Sequence, residues 1–539
     1  MPIQSTASTF PMLVCEAARK YPSREALVDD DQRLTYEQLE RAMLASAAAA
    51  AAAGIGPGDR VAVWGPNSVG WVVAALGVQA RGAAIVPMTT RFRGEEAAFV
   101  LRASGAKLLF TVRGFLGQDL PDLLRAAAPE FADLSVVLLD GEPADGDRSW
   151  LDYLAGADDS DPDTLRLQTE SVPGDAVSDV MFTSGTTGMP KGVLTTHEQN
   201  LVGWADYADC LLLDETDRAL VVLPLSHNFG FKAGFVSCAM VGACAVMLSV
   251  FDEVRVMSKV ASEGITILSG TPTLLQGVLD HPDRASYDLS TLRKGTVAGS
   301  TVSVDLVQRL RSEGLLRHVM NGYGLSESAG GVALSEPDDD PEIVANWCGR
   351  VRRHVEVRVV DDSLHEVPPG SEGELLVRAP TVMLGYYDQP DETAEAIDAE
   401  GFLHTGDIGL VEDGYLKITG RKKDMFIVGG FNTYPAEIEL ALLEHPDIAD
   451  AAVVGVPDDR LGEVGAAFIV ARSGSKLTVE DVMAWSRQRL ANYKVPRYVE
   501  FVPLLPRNMM LKVEKVVLRE QALANVGHRA AAASGASAP

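Results

Sequence analysis

Apolar and polar positions follow two distinct patterns along the first 320 residues of the chain. Short, uninterrupted apolar runs predict buried strands, and segments with apolar residues at every third or fourth position predict amphipathic helices. The predicted strands are 25–29, 60–64, 83–87, 107–111, 218–223, 243–248, 265–269 and 294–298. The predicted helices are 10–21, 36–53, 68–81, 95–104, 252–263 and 302–312. Continuous apolar strands joined by helices are typical of parallel sheets covered on both faces, so the pattern predicts an α/β fold.

The pattern changes after the acidic loop 336–342. Residues 356–360 and 373–377 alternate between apolar and polar positions on either side of a Pro-Pro-Gly turn. Such alternation indicates strands with one buried face. We therefore predict an antiparallel or barrel-like unit that extends to about residue 419.

The length of 539 residues suggests about three or four packing units. We predict a large N-terminal domain of parallel sheets flanked by helices plus a barrel-like subdomain, and a small mobile α+β C-terminal domain. The predicted boundaries are 1–419 for the N-terminal domain, 420–424 for a hinge, 425–526 for the C-terminal domain and 527–539 for a disordered Ala/Ser/Gly-rich tail.

One apolar stretch, residues 233–251, carries no charge over 19 positions and is just long enough to cross a membrane. Glycine and serine residues interrupt it, and its second half is rich in β-formers. We interpret it as a buried helix, a turn at Val241 and Gly242, and a buried strand, and we expect no integral membrane association.

Composition narrows the class of protein. The formal net charge is −28, which argues against an electrostatic nucleic-acid binder and requires any phosphate site to be built locally. The five cysteines include no Cys-x-x-Cys pair. A disulfide framework or a zinc site is therefore not expected, and a reducing, cytoplasmic location is.

A loop of small residues after a strand is the strongest chemical signal in the chain. It comprises Thr183, Ser184, Gly185, Thr186, Thr187 and Gly188, with Lys191 shortly after. Unshielded backbone N–H groups and hydroxyls beside a mobile cation suit a bound polyanion such as a phosphate group. The spacing is not that of the common P-loop, which needs Gly-Lys-Ser/Thr. The alternative is an ordinary Gly/Ser/Thr-rich surface loop.

The run Thr-Ser-Gly-Thr-Thr-Gly-x-Pro-Lys-Gly over 183–192 resembles the signature of the adenylate-forming synthetases, which include acyl-CoA ligases, luciferases and peptide-synthetase adenylation domains. The resemblance extends from about residue 15 to 520. It implies that the chain uses ATP, Mg²⁺ and CoA, and that it joins a small-molecule carboxylic acid to CoA through an acyl-adenylate.

Further motifs match the nucleotide site of that family. A flat ring suits a stacked base, and a carboxylate suits Mg²⁺ or two ribose hydroxyls. The resemblance implies that ATP or AMP is bound by Gly299, Ser300, Asn321, Gly322, Tyr323, Gly324, Ser326, Asp407 and Arg421, besides the loop residues. It assigns Mg²⁺ to Glu327 with Thr183. An ordinary strand-to-helix turn is a strong rival for Gly299 and Ser300, as a solvated basic turn is for Arg421.

The C-terminal domain carries the remaining matches. By resemblance, Lys423 is the hinge residue, and Gly429, Gly430 and Phe431 line the tunnel for the CoA thiol. A Gly-Gly hairpin turn is the alternative for that loop. Lys512 matches the catalytic lysine, which can neutralise charge between the carboxylate and the α-phosphate. The sequence departs from the family here, because Leu511 stands where glycine is usual.

The acyl pocket is expected around the segment 224–234. By resemblance, His227 lies near the acyl carboxylate, and Phe229, Phe231 and Gly234 shape the pocket. Members of the family that activate amino acids use an aspartate nearby to pair with the substrate amine. No aspartate occurs in 224–232, so the resemblance implies an acid without an α-amino group. Three stretches, including Lys232-Ala-Gly234, also give a weak resemblance to bacterial ligases for sterol-ring-derived propanoates.

The sequence therefore predicts an ATP-dependent acyl-CoA ligase for a fatty, aryl or sterol-derived carboxylate. In it, Thr183, His227, Glu327 and Lys512 are the candidate catalytic residues. The alternatives are an acyl-AMP ligase that loads a carrier protein, a luciferase-like oxygenase and a non-catalytic nucleotide-binding homologue. The sequence leaves the oligomeric state, a monomer or a homodimer, open.

Overall fold

The computed structural model describes residues 5–30, 32–144, 146–157, 161–183, 190–299, 302–458, 460–507 and 513–535. The helices in this part of the chain are α1 Phe10–Lys20, α2 Tyr36–Ala52, α3 Val69–Gln79, α4 Gly94–Ser104, α5 Leu120–Ala127, α6 Trp150–Ala155, α7 Pro162–Glu170, α8 His197–Cys210, α9 Ser237–Val241, α10 Glu253–Glu263, α11 Pro272–Asp280, α12 Val304–Ser312, α13 Pro341–Asn346, α14 Pro390–Ala396, α15 Pro435–Leu443, α16 Val479–Arg489 and α17 Lys515–Gly535.

The strands of the same residues form four sheets. They are β1 Glu25–Asp29, β2 Gln32–Thr35, β3 Arg60–Trp64, β4 Ala84–Met88, β5 Leu108–Val112, β6 Ser135–Asp140, β7 Asp147–Ser149, β8 Val177–Thr183, β9 Lys191–Thr196, β10 Arg218–Val221, β11 Cys244–Met247, β12 Ile267–Leu268, β13 Lys294–Thr296, β14 His318–Met320, β15 Gly322–Leu325, β16 Gly330–Leu334, β17 Gly349–Val351, β18 Glu356–Val360, β19 Gly373–Arg378, β20 Gly385–Tyr386, β21 Leu403–Glu412, β22 Tyr415–Arg421, β23 Phe426–Val428, β24 Phe431–Thr433, β25 Ile448–Asp458, β26 Gly462–Ala471 and β27 Tyr498–Phe501.

Two largely parallel sheets form the core of the N-terminal domain. Their strand orders are β20-β9-β8-β4-β3-β5-β6-β7 and β14-β13-β12-β10-β11-β1-β2. Helices α1–α3 pack between them, because one apolar cluster joins Trp71 and Phe10 of these helices to Val61 of the first sheet and Ala219 of the second. The predicted α/β fold with helix-covered parallel sheets is confirmed.

Local sequence rules account for several element boundaries. Helix α2 begins with a capping box in which Thr35 and Gln38 satisfy each other's backbone N–H groups. Helix α4 ends at Gly105, which adopts a left-handed φ of 60°. These are short-range effects, so the sequence alone predicts the start of α2.

The uncharged stretch 233–251 folds as expected, without a membrane span. A π-helical turn, Phe229–Val236, leads into α9, Gly242 reverses the chain at φ 80°, and β11 follows. Among the described residues, no helix is long and apolar enough to cross a membrane.

The third sheet is antiparallel, with the order β15-β16-β17-β22-β21-β19-β18. It confirms the change from parallel to antiparallel strands that the alternation after residue 342 predicts. Its strand β22 continues to Arg421, two residues into the predicted hinge. A single 3₁₀ turn, Lys422–Asp424, then leads to the C-terminal domain.

The C-terminal domain is a sheet of order β24-β23-β26-β25, with β27 beside β26, and helices α15–α17. Helix α17 continues to Gly535, although the sequence predicts a disordered tail from residue 527. Alanine has the highest helix propensity, and the tail contains a run of alanines that extends the helix.

Candidate active site

The small-residue loop connects two antiparallel strands instead of leading into a helix. From Asp179 onward, strand β8 pairs with β9 without a register shift, so that Thr183 lies opposite Lys191 at the mouth of the hairpin. The hairpin therefore brings the first hydroxyl of the motif beside its cation. The loop residues Ser184, Gly185, Thr186, Thr187 and Gly188 lie outside the described residues.

Lys191 and Glu327 both contact Tyr386, a residue that the sequence analysis did not select. The Lys191 ammonium lies 5.0 Å from the ring centre of Tyr386, and the Tyr386 hydroxyl donates a hydrogen bond to Glu327 at 3.1 Å. Strand β20 pairs with β9 and places Tyr386 opposite Val193. Burial and the nearby Glu327 carboxylate raise the pKa of Tyr386, so its hydroxyl remains a donor.

A second polar cluster joins Tyr323, Asp407 and Arg421. The Tyr323 hydroxyl donates to one carboxylate oxygen of Asp407 at 2.6 Å, and Arg421 Nε lies 2.9 Å from the other. Asp407 and Arg421 are cross-strand neighbours in β21 and β22. Asp407 is only 2% exposed, and burial raises the pKa of Tyr323 well above its ordinary value. The structure thus brings three predicted ribose and base contacts to one place.

Two other predicted nucleotide residues, Asn321 and Gly324, differ in solvent exposure. The Asn321 side chain donates to the backbone of Val344 at 2.9 Å and accepts from Gly322 N–H at 2.8 Å. This buried amide thus holds helix α13 in place, and the predicted nucleotide contact of Asn321 stays a prediction. In contrast, Gly324 is exposed, and a Cβ there would lie 2.2 Å from the Gly330 carbonyl.

Two further predicted positions lie at turns. Gly299 is exposed, with φ 92°, a backbone conformation that favours glycine. Ser326 begins a 3₁₀ turn, Ser326–Ser328, directly before the residue that meets Tyr386. Ser300 lies outside the part of the chain that the structure describes.

An apolar pocket lies beside the π-helical turn. Phe229, Gly230, Ala233 and Gly234 line one wall, and strand β10 lines another. The cavity is narrow, at about 20 Å³. Phe229 and Gly234, which the sequence assigns to the acyl pocket, both line this cavity.

Phe231, the other phenylalanine that the sequence assigns to the acyl pocket, does not line this cavity. Its ring is fully buried and packs against Phe10 at 5.8 Å and Trp71 at 5.2 Å, in the core between the two sheets. Residues two apart in a helix point to nearly opposite sides, so Phe229 faces the cavity while Phe231 faces the core. His227 is half-buried, and its Nδ1 accepts a hydrogen bond from the Phe229 N–H at 3.2 Å.

Polar groups that the sequence analysis did not select lie at the far side of the pocket. Tyr207 and Ser269 line it, and the Tyr207 hydroxyl lies 3.4 Å from Ser269 Oγ and 3.1 Å from Thr296 Oγ1. Burial raises the pKa of Tyr207 to about 12, so this group stays protonated. Tyr207 belongs to a helix and Ser269 follows β12, more than 60 residues away, and no local motif links them.

The C-terminal residues lie at the edge of their own sheet. Gly429 and Gly430 form the turn between β23 and β24, with φ 59° and 89°. Phe431 is 59% exposed and stacks on Tyr493 at 4.9 Å. Both the tunnel assignment and the Gly-Gly hairpin alternative fit this geometry.

The remaining predicted residues lie at or near the domain junction. Lys423 lies in the 3₁₀ turn after β22, next to Lys422, which pairs with Glu374 at 2.8 Å. Lys512 and Leu511 lie outside the described residues. An antiparallel bridge between Arg507 and Val513 closes the segment that contains them.

Comparisons with known proteins agree with this arrangement. The profile of the AMP-binding enzyme family matches residues 14–387, and that of the AMP-binding enzyme C-terminal domain matches residues 437–510. The chain is 44% identical over 520 residues to the 3-[(3aS,4S,7aS)-7a-methyl-1,5-dioxo-octahydro-1H-inden-4-yl]propanoyl:CoA ligase of Rhodococcus jostii (strain RHA1), covering 95% of this chain and 99% of the relative. The ligase of the same name from Mycobacterium tuberculosis (strain ATCC 25618 / H37Rv) is 44% identical over 514 residues, covering 95% and 98%.

A solved structure extends the similarity to the whole architecture. A Mycobacterium tuberculosis fatty acyl CoA synthetase superimposes with a TM-score of 0.74 and 31% identity, covering 96% of this chain and 99% of that one. The family profile spans most of the chain, and the relatives named here are ligases and synthetases that act on CoA. The chain therefore belongs to the AMP-binding enzyme family and is an AMP-forming acyl-CoA synthetase.

Proposed function

We propose that the acid activated by this chain is a bicyclic propanoate derived from steroid rings. The observation that carries this proposal is the identity of 44%, over nearly the full length of both chains, to two ligases whose name specifies such an acid. The cavity beside the π-helical turn has apolar walls and the hydroxyls of Tyr207 and Ser269, which suits the chemistry of such an acid. At about 20 Å³ it has room for about one water molecule, so its walls must move apart to admit the acid. Buried hydroxyl donors suit the two ring ketones in that name.

The reaction proceeds in two steps. The acid carboxylate attacks the α-phosphorus of ATP and pyrophosphate leaves, which gives an acyl-adenylate. The CoA thiol then attacks the acyl carbon and AMP leaves. ATP is needed because a carboxylate is a poor electrophile, whereas the mixed anhydride has a good leaving group.

The N-terminal residues are assigned to ATP. Lys191 and the loop 183–188 hold the phosphates, with the Lys191 ammonium kept near Glu327 through Tyr386. Asp407 accepts the ribose hydroxyls, because a carboxylate retains free lone pairs after accepting from Tyr323 and Arg421. His227 is assigned to the acyl carboxylate, and Phe229 lines the cavity beside the π-helical turn.

Mg²⁺ is assigned to Glu327 and Thr183. Among the described residues, no group of three or more His, Cys, Asp or Glu side chains could hold a metal by itself. One carboxylate with a hydroxyl fits Mg²⁺, which usually keeps several waters and binds through substrate phosphates. When bound, the ion would neutralise phosphate charge.

The C-terminal domain is assigned two alternating roles. Lys512 stabilises charge in the first step. Rotation about Lys423 then withdraws it and brings the Gly430 turn to the CoA thiol, where an open glycine leaves room for a thin chain. We place the reaction in the cytoplasm and in lipid metabolism. All five cysteines are free thiols, which agrees with a reducing compartment.

A panel of acids tests the proposed substrate. Release of pyrophosphate and formation of acyl-CoA are measured with bicyclic steroid-derived, medium-chain, long-chain and aryl acids. We expect the bicyclic propanoate to give the highest kcat/KM. A higher kcat/KM with a linear fatty acid would overturn the assignment of the acid without affecting the assignment of the reaction.

The same two assays, applied to a variant, test the role assigned to Lys512. Lys512→Ala is expected to abolish acyl-adenylate formation while the variant still converts supplied acyl-adenylate and CoA to acyl-CoA. Unchanged adenylate formation would show that this lysine has no part in the first step.

A further inference from the structure

A lysine is completely buried behind the acyl pocket and pairs with a completely buried aspartate. Lys232 Nζ lies 3.0 Å from Asp179 Oδ1 and 3.5 Å from Thr195 Oγ1. The side chains are 1% and 0% exposed. Charged side chains are almost never fully buried unless they are paired. Burying such a pair gains little stability over apolar residues of similar volume, so stability alone is a poor explanation for it.

The aspartate belongs to the hairpin that carries the phosphate loop. Asp179 in β8 pairs with Thr195 in β9, four residues from Thr183 and Lys191 respectively. Residues two apart in a strand share a face, so Asp179 and Thr183 project from the same face of the hairpin. The pair therefore connects the π-helical turn to the strand that ends at the phosphate loop.

Polar contacts hold the aspartate rigidly. Asp179 Oδ1 also accepts from the Thr195 hydroxyl at 3.1 Å, and Oδ2 accepts from Ser178 at 2.6 Å. Asn200, in α8, donates to Ser178 Oγ and to Thr195 Oγ1, each at 3.0 Å. The carboxylate thus has one position, fixed by two strands and a helix.

The lysine belongs to the wall of the acyl pocket. It lies in the π-helical turn Phe229–Val236, whose residues Phe229, Ala233 and Gly234 line the pocket. The Lys232 carbonyl accepts both the N–H and, at 3.2 Å, the hydroxyl of Ser237, five residues on. Helical turns of this wide kind are rare and are frequently found at functional sites.

We propose that Lys232 is a positioning residue that fixes the wall of the acyl pocket to the phosphate hairpin and so determines which acids are accepted. The Lys232–Asp179 pair anchors the turn from behind, which sets how far Phe229 and Gly234 project into the pocket. This inference rests on the proposed function only in treating that cavity as the acyl pocket.

The test uses the double variant Lys232→Met with Asp179→Asn, which removes both buried charges and keeps the volume similar. The readout is the ratio of kcat/KM between the best and the second-best acid of the wild-type enzyme, whichever acids these are. We expect this ratio to fall about tenfold, the size of effect that pocket contacts usually have on selectivity. The KM for ATP is expected to stay within about twofold, since no direct ATP contact is removed.

A second buried pair provides the matched control. Lys294 lies 2.7 Å from Asp217 Oδ2, and both are buried, but neither lines the pocket. Lys294→Met with Asp217→Asn is expected to lower stability comparably and to leave the acid ratio unchanged. If the Lys232 double variant does not fold, Thr195→Val, which removes one contact of the pair, is expected to reduce the ratio in the same direction.

Two results would overturn the inference. An unchanged acid ratio in the folded Lys232 variant would mean that the pair has only a structural role. If kcat/KM fell by the same factor for every acid and for ATP, the variant would have disturbed the hairpin as a whole. A wild-type preference for a linear acid would contradict the proposed substrate but would leave this test intact, because the ratio is defined by the enzyme's own two best acids.

Discussion

Tyr323 and Asp407 are joined by a hydrogen bond of 2.6 Å, although 84 residues separate them in the chain. The contact connects the antiparallel β15 to β21 within the third sheet, and Arg421 completes it from the neighbouring strand at 2.9 Å. This arrangement orients the carboxylate before a nucleotide arrives. The ribose is thus expected to be bound by a group that needs little rearrangement.

Asp407→Asn is the variant that tests this arrangement. It removes the charge that strengthens each hydrogen bond to the carboxylate, worth about 1.5–3 kcal/mol, or roughly 10- to 100-fold. We expect the KM for ATP to rise by that factor, with a smaller change in the KM for the acid. Asp413→Asn, an exposed position on the turn between the same two strands, is the control. An equal rise in the KM for ATP and in the KM for the acid would contradict the assignment of Asp407 to the ribose.

Tyr386→Phe tests the link between Lys191 and Glu327. The variant keeps the ring beneath the Lys191 ammonium and removes only the hydroxyl that donates to Glu327. A hydrogen bond to a charged group contributes about 1.5–3 kcal/mol, so we expect a higher Mg²⁺ concentration for half-maximal activity. Titration of activity with Mg²⁺ at saturating ATP measures this. If the dependence of activity on Mg²⁺ concentration were unchanged, Tyr386 would have no role in Mg²⁺ binding.

Gly234→Ala tests the position of the acyl pocket. A Cβ at this position would lie 3.0 Å from the Val221 side chain, which lines the same pocket. We expect kcat/KM for bulky acids to fall about 10-fold or more, and that for short acids to change less. Gly56→Ala, where a Cβ meets nothing within 4 Å, is the control. If kcat/KM fell equally for bulky and short acids, Gly234 would not lie in the acyl pocket.

His197 predicts a specific dependence of stability on pH. Burial, with a smaller contribution from the charge of Lys232, lowers the pKa of His197 from 6.5 to about 3. Between these values the unfolded state binds a proton that the folded state does not, so the stability contributed by this group is present above pH 6.5 and is lost as the pH falls. Each pH unit between 6.5 and 3 lowers the free energy of unfolding by up to about 1.4 kcal/mol.

Urea denaturation of the wild type and His197→Asn at several pH values between 5 and 7 measures this effect. We expect the wild type to lose stability more steeply than the variant as the pH falls. Comparison of the two slopes removes the contribution of the other titrating groups, and parallel slopes would contradict the low pKa.

The sequence predicts those features that depend on short-range or periodic signals. The start of α2 at Tyr36 and the break at Gly242 depend on local signals, and both are confirmed. The alternation near residues 356–377 is periodic and likewise correct. Asp407 and Arg421 come from motifs, and the sheet then brings them together.

The features that the sequence did not predict depend on contacts between distant segments or on an irregular helix. Tyr386 meets Glu327 only because β20 adds to the edge of β9. Phe231 lies in the core and does not line the cavity, and composition does not determine the direction in which each side chain of the π-helical turn points. The Lys232–Asp179 pair spans 53 residues and belongs to no motif.

The most direct test of the account is to mix the enzyme, ATP, Mg²⁺ and the bicyclic propanoate without CoA, and then to add CoA while following the products by mass spectrometry. The account predicts that acyl-AMP and pyrophosphate form first, and that CoA converts the acyl-AMP to acyl-CoA with release of AMP. Acyl-AMP that persists in the presence of CoA would indicate a carrier-protein loader. Absence of pyrophosphate release with every acid of the panel would contradict the account as a whole.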